Sequence, residues 1–160
     1  MIVSNRPIED PEVLQFLFEN SSCFFNGEEW FRVLQEGFKG PVVAYCLEKD
    51  GKICLVLPGM IFNFGLIKMF YSNVPYGGFV GDFQLIPLTL FLFEKSIRKD
   101  GIHFIRIGRN FTSDIPDLNG YQQEMAATHL LDLQGVDEEQ LWKGYKKRVR
   151  RDIEKLRSRV

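Results

Sequence analysis

The chain has 160 residues, enough for one compact domain, and its 45% hydrophobic and 26% charged residues exclude an intrinsically disordered protein. Net charge is −1 at pH 7, which excludes a uniformly basic nucleic-acid coat, and the most apolar stretch, Leu85 to Phe93, is far shorter than the roughly 20 residues of a membrane span. The opening MIVSNRPIEDPEV has no basic segment leading into an apolar run, so no signal peptide is expected and the cytoplasm is the expected location.

Pro11 to Glu19 reads as a first short helix, with Val13, Leu14, Phe16 and Leu17 as its apolar residues. Gly27 to Phe38 reads as a second, with Trp30, Leu34 and Phe38 recurring every fourth residue and Gly37 and Gly40-Pro41 ending it. A hairpin follows. Val42 to Glu48 and Ile53 to Leu57 turn around Asp50-Gly51, a pair suited to a two-residue turn. Both faces are apolar, with Val42, Ala44 and Cys46 on one and Val43, Tyr45 and Leu47 on the other. Such a hairpin needs cover on both sides, which predicts a central place in a sheet between helices.

That turn sets Cys46 opposite Leu55 and Leu47 opposite Cys54, so Cys46 and Cys54 fall on opposite faces and cannot bridge. Three cysteines without a CxxC and only two histidines argue against a zinc site. Buried free thiols are the plain reading.

Met60 to Phe62 and Leu66 to Tyr71 read as further strand around Asn63-Phe64-Gly65. Gln84 to Asp100 reads as a helix with Pro87 in its first turn and Gly101 as its cap. Ile102 to Ile107 is an expected strand, Asn110 to Gln123 a loop and Thr128 to Leu133 another strand. Asp137 caps a last helix, with Gln140 closing a capping box and Trp142, Tyr145, Val149, Ile153 and Leu156 striping one face. The order predicts an α/β (α+β) layered domain with a mixed sheet. Residues 143–159 hold nine of the 20 Lys and Arg against two acids, which leaves −8 on the rest opposite +7 on this tail. The tail is expected to meet something anionic, or the acidic body itself. The 14% aromatic content, with 15 Phe, predicts a bulky core or an aromatic-lined cleft.

Three segments together carry a resemblance. They are Phe24-Phe25-Asn26-Gly27-Glu28-Glu29-Trp30; the hairpin exit Leu57-Pro58 with Pro75-Tyr76-Gly77-Gly78-Phe79; and Thr128-His129-Leu130-Leu131-Asp132-Leu133 with Glu138 to Lys143 and the basic run Lys146 to Arg151. In this order and spacing the chain resembles the N-terminal half of FemAB-type proteins, which are similar to GNAT acyltransferases. The resemblance implies a single GNAT-like subdomain over residues 1–160, with a mixed sheet flanked by helices. It implies transfer of an acyl or aminoacyl group to an amine, from acyl-CoA or aminoacyl-tRNA as donor substrate and with no tightly bound cofactor. Peptidoglycan precursors of the cell wall are the best-known acceptors. It implies two GNAT-like halves, the first at the acceptor cleft and the second supplying much of the donor site. This sequence stops where such proteins begin their second half, so the expectation is a truncated chain or a split gene product that transfers nothing alone. The missing half, a tRNA and a second copy docked through the C-terminal helix are the expected partners.

The candidate site residues follow. Trp30 resembles a tryptophan at the acceptor cleft of muropeptide-modifying members; its face can stack on a ring of a ligand or pack its own helix on the sheet. Those members place a lysine two residues earlier to meet a phosphate, and Glu28 stands there instead. Tyr76, Gly77 and Gly78 form a loop whose glycines can expose backbone N–H groups beside a phenol, or simply make a tight connection. This is no P-loop, and the Gln/Arg-x-x-Gly-x-Gly/Ala pattern that cradles coenzyme A is absent. Lys147, Arg148 and Arg151 can track a phosphodiester backbone or form a solvated helix face. His103 and His129 read as core or edge histidines, and no catalytic residue is assigned. An inert binding module that contacts RNA through the basic helix is the alternative function.

Overall fold

A computed structural model describes residues 1–21, 23–72, 76–108, 120–122, 135 and 137–157. They fall in two compact units, Met1–Gly120 and Tyr121–Val160.

The first unit is built on a six-stranded sheet. Its strands are β1 (Ile2–Pro7), β2 (Val42–Lys49), β3 (Lys52–Phe64), β4 (Ile67–Ser72), β5 (Val80–Gly81) and β6 (Phe104–Ile107). Their order is β1-β2-β3-β4-β6, with β5 also paired to β3. The pairings from β1 to β4 are antiparallel, and β6 lies parallel to β4. The helices are α1 (Pro11–Asn20), α2 (Glu28–Phe38) and α3 (Ile86–Lys99). This is a mixed α/β fold whose central mixed sheet is flanked by helices.

Local chemistry sets the boundaries. Proline occupies the first turn of α1, where no N–H is required, and the Asp10 side chain accepts from the Glu12 N–H at 2.9 Å. Lys39 ends α2 in the left-handed conformation. Asp50 and Gly51 both have positive φ, 53° and 76°, as a two-residue hairpin turn between β2 and β3 demands. α3 begins at Ile86, after a 3₁₀ turn over Phe83–Leu85 that Asp82 caps, and so starts two residues later than the periodicity suggests. Gly101, at φ 76°, follows its last turn.

The hairpin β2–β3 sits in the middle of the sheet, and each face packs on its own layer. Val42, Ala44 and Cys46 join Val13, Leu17 and Leu34 of α1 and α2. Tyr45, Leu47 and Leu57 join Ile86, Phe93 and Ile97 of α3. Burying a side chain of this kind stabilises by about 1.5–3 kcal/mol, so the two layers dominate the stability of the unit.

Three features differ from the sequence reading. β3 does not stop at Leu57 but runs through Pro58 and Gly59 to Phe64. A β-bulge shifts the hairpin register, so Leu47 pairs with Leu55 and Cys46 with Val56, and Cys54 has no residue opposite. The three cysteines are nonetheless free. The third is β1 itself, a strand that no apolar alternation announces: Ser4 and Arg6 point toward the α1 side and bind the Glu48 carboxylate at 2.9 and 2.7 Å.

The second unit contains α4 (Glu138–Gly144) and α5 (Lys147–Arg157). The capping box is present, with the Gln140 N–H donating to Asp137 Oδ1 at 2.7 Å. The expected single helix is two. Tyr145 is extended at φ −71° and ψ 139°, directly after Gly144, whose backbone freedom makes continuing the helix unfavourable. The loop expected over 110–123 lies outside the described residues except for 120–122, and the strand over 128–133 lies wholly outside them.

Candidate functional site

β4 and β5 both pair with the same edge of β3. Met60 pairs with Tyr71 and Val56 with Val80. Three β3 residues, Leu57, Pro58 and Gly59, therefore face eight chain residues, 72–79, and five of those are surplus to regular pairing. This excursion from regular pairing carries Tyr76, Gly77 and Gly78. Pro58, which has no N–H to offer, is tolerated in mid-strand beside this interruption.

Tyr76 meets the 3₁₀ turn Phe24–Asn26 that precedes α2. Its ring centroid lies 5.5 Å from that of Phe25, and the Phe25 ring stands edge-on to Trp30 at 5.0 Å. Phe24 completes the group, 5.6 Å from Phe25 and 5.9 Å from Trp30. These are the edge-to-face and tilted arrangements that ring quadrupoles favour. Phe24 is 61% exposed, while Phe25, Trp30 and Tyr76 are half-buried. The cluster is thus a partly open aromatic surface, and Trp30 also packs against the core that α1 and α2 form with the sheet. Beneath it Asn26 is buried and donates through Nδ2 to Ser21 Oγ at 2.9 Å.

Gly77 and Gly78 are buried. A Cβ on Gly108, which follows β6, would lie 3.4 Å from the Gly77 carbonyl oxygen and 3.2 Å from that of Ser72. The Gly108 N–H donates to Ser72 Oγ at 2.8 Å. The ends of β4 and β6 thereby clamp the base of the excursion. Gly78, at φ 130°, adopts a conformation that other residues rarely reach.

The surface has an acidic border. Glu28 and Glu29 stand exposed in the first turn of α2, and Glu28 pairs with Arg32 at 3.1 Å. Both carboxylates lie at the positive end of the helix dipole and offset the attraction it would exert on an anion.

Two of the sequence candidates, Trp30 and Tyr76, are thus brought together on Phe25, while Gly77 and Gly78 are buried and Gly77 lies against the end of β6. The residue that joins them, Phe25, is not singled out by sequence reasoning, although the doublet Phe24-Phe25 beside a helix start is a visible signal. Lys147, Arg148 and Arg151 lie on α5 in the second unit. All three are exposed, and Arg148 and Arg151 approach Asp152 at 3.9 and 3.7 Å. His103 is an edge residue whose Nδ1 accepts from the Lys68 N–H at 3.1 Å, and His129 lies outside the described residues. Among the described residues no group of three or more His, Cys, Asp or Glu could hold a metal ion.

A shallow cleft of about 450 Å³ opens elsewhere on the unit, lined by Asn5, Arg6, Glu9 and Gln35. Its charged groups are engaged structurally. Arg6 binds Glu12 at 2.6 Å, Glu48 at 2.7 Å and Asp10 at 3.4 Å. The hydrogen bond with Glu12, then that with Glu48, holds the guanidinium well above its ordinary pKa. This network staples β1, β2 and α1 together, and the Gln35 amide donates to the Glu9 carboxylate beside it.

The chain matches no protein-family model, no curated protein and no solved structure.

Proposed function

We propose that this chain is the acceptor-binding half of a FemAB-like N-acyl- or aminoacyltransferase of the GNAT type. The observation that carries the reading is the meeting of Trp30 and Tyr76 on Phe25, with Gly77 and Gly78 at the interrupted edge of β3. A layered mixed sheet is also what a GNAT-like subdomain requires. An aromatic surface of this kind takes the ring or apolar stem of an acceptor through stacking and apolar contact. The bordering carboxylates favour an acceptor that arrives as an ammonium ion and disfavour one carried on phosphates. Attack on an acyl carbonyl then needs loss of the ammonium proton and donors for the developing oxyanion. In this reading those groups, and the donor, belong to a second half.

Trp30 reports on its own site once Trp142 is replaced by Phe. Titration of the Trp142→Phe chain with an amine-bearing muramyl peptide should give a saturable change in Trp30 emission. Tyr76→Ala should weaken it by about 2- to 12-fold, the scale of losing one ring contact. No saturable change with amine-bearing muropeptides overturns the acceptor reading. Steady turnover by this chain alone, with acyl-CoA or charged tRNA and an amine, overturns the assignment to a half.

A further inference from the structure

α5 is the most highly charged element of the chain, with six Lys and Arg against two acids in Lys147–Arg157. At about 100° per residue, Val149 and Ile153 lie within about 40° of each other on the helix surface. Arg150 stands about 100° to one side of Val149 and Arg148 about 100° to the other, with Lys155 just beyond Arg148. A narrow apolar strip thus runs along α5 with cations on both flanks. Val149 is 40% exposed and Ile153 half-buried, while the Arg148 side chain is 86% exposed. Asp152 borders the strip, and its carboxylate lies between Arg148 and Arg151 at 3.9 and 3.7 Å.

We infer that α5 is an interfacial helix that adsorbs to an anionic lipid surface. Three occupants compete for such a strip, and charge decides among them. A second copy docked strip to strip would set Arg148 and Arg150 against their own counterparts. A phosphodiester backbone would satisfy the cations and leave Val149 and Ile153 in water. An anionic bilayer satisfies both: long cationic side chains reach up to the headgroups while the strip sinks to the acyl boundary. The −8 on the remainder of the chain does not oppose this at physiological salt, where charges more than about 8 Å apart are largely screened.

The test is co-sedimentation of the full chain with vesicles of phosphatidylcholine alone and with about one-third phosphatidylglycerol. Binding is expected to the anionic vesicles only, and to weaken in about 0.5 M salt. Each surface cation contributes about a fivefold factor, so Arg148→Gln with Arg150→Gln should weaken binding roughly thirtyfold. Arg148→Lys with Arg150→Lys keeps both charges and should retain binding, which separates charge from damage to the helix. Val149→Asp should weaken vesicle binding while leaving the circular dichroism unchanged. The inference is overturned by equal binding to neutral vesicles, by no binding to anionic ones, or by vesicle binding indifferent to Val149→Asp. Val149→Ser removes apolar area without adding a charge and should also weaken vesicle binding, and unchanged binding by that variant equally overturns the inference.

Discussion

The hydroxyl of Tyr45 donates to the carboxylate of Asp100 across 2.8 Å, joining the centre of the sheet to the end of α3. Asn5 of β1 donates to the same oxygen at 2.6 Å. Burial, and then the Asp100 contact, holds the phenol far above its ordinary range. Tyr45→Phe should lower the unfolding free energy by about 1–2 kcal/mol. Asp100→Ala should cost more, because it strands a buried hydroxyl and also releases Asn5. Urea denaturation of the two variants gives the comparison, and a larger loss in Tyr45→Phe would contradict it.

Acid should loosen the β1 edge. The Ser4 hydroxyl, and then the Arg6 guanidinium, holds the Glu48 carboxyl below its ordinary value of 4.5. A depressed folded pKa stabilises fully above the unfolded value, and that contribution is lost as pH falls through the folded one. Glu48→Gln should therefore be less stable than the parent at neutral pH and flatter on the acid side. Urea midpoints between about pH 7 and pH 3 measure both, and parallel curves would refute the assignment.

Two glycines should respond to alanine in opposite directions. A Cβ at Gly59 would sit 2.5 Å from Phe70 Cζ and 2.6 Å from the Tyr71 carbonyl oxygen. Gly59→Ala should destabilise by roughly 1–3 kcal/mol through overpacking. At Gly37, inside α2, nothing lies within 4 Å, so Gly37→Ala should stabilise by about 0.4–1 kcal/mol through the unfolded chain. Thermal melts should separate the pair by several degrees.

The thiols should divide two to one. Burial pushes Cys46 up to about 12, whereas Cys23 and Cys54 are partly exposed. Ellman's reagent should titrate two thiols in the native chain and the third only after urea is added. Three equally fast thiols would mean that β2 opens far more readily than its packing implies.

How much of this was readable from residues alone depends on which force positions each element. The two faces of the hairpin were readable because burial on both sides demands apolar residues at every position from Val42 to Leu47. β1 was not, because its inward Ser4 and Arg6 are held by the Glu48 carboxylate, and polar pairing has no period. The bulge beside Cys54 was not, since turn residues fix only the first pairs of a hairpin, here Lys49 with Lys52 and Glu48 with Ile53. An unbroken apolar stripe concealed the division of α4 from α5, although Gly144 marked it. Of the candidate site, Trp30 and Tyr76 were recognisable by type. Their meeting on Phe25 spans 46 residues and follows from the path of the excursion, which local sequence does not encode.

The shared edge of β3 also bears on how this chain can change over time. Pairing at Tyr71–Met60 fixes one end of the excursion, and pairing at Val80–Val56 fixes the other. Its length is therefore uncoupled from the register of the sheet. Residues can be added or removed between the two anchors without turning any core side chain to the wrong face. Lengthening a closed loop is thermodynamically mild, at about 0.6 kcal/mol for each doubling. Changes of length between the buried Ser72 and Gly77 thus offer natural variation, or a designed library, a way to reshape the aromatic surface while the two packed layers stay as they are.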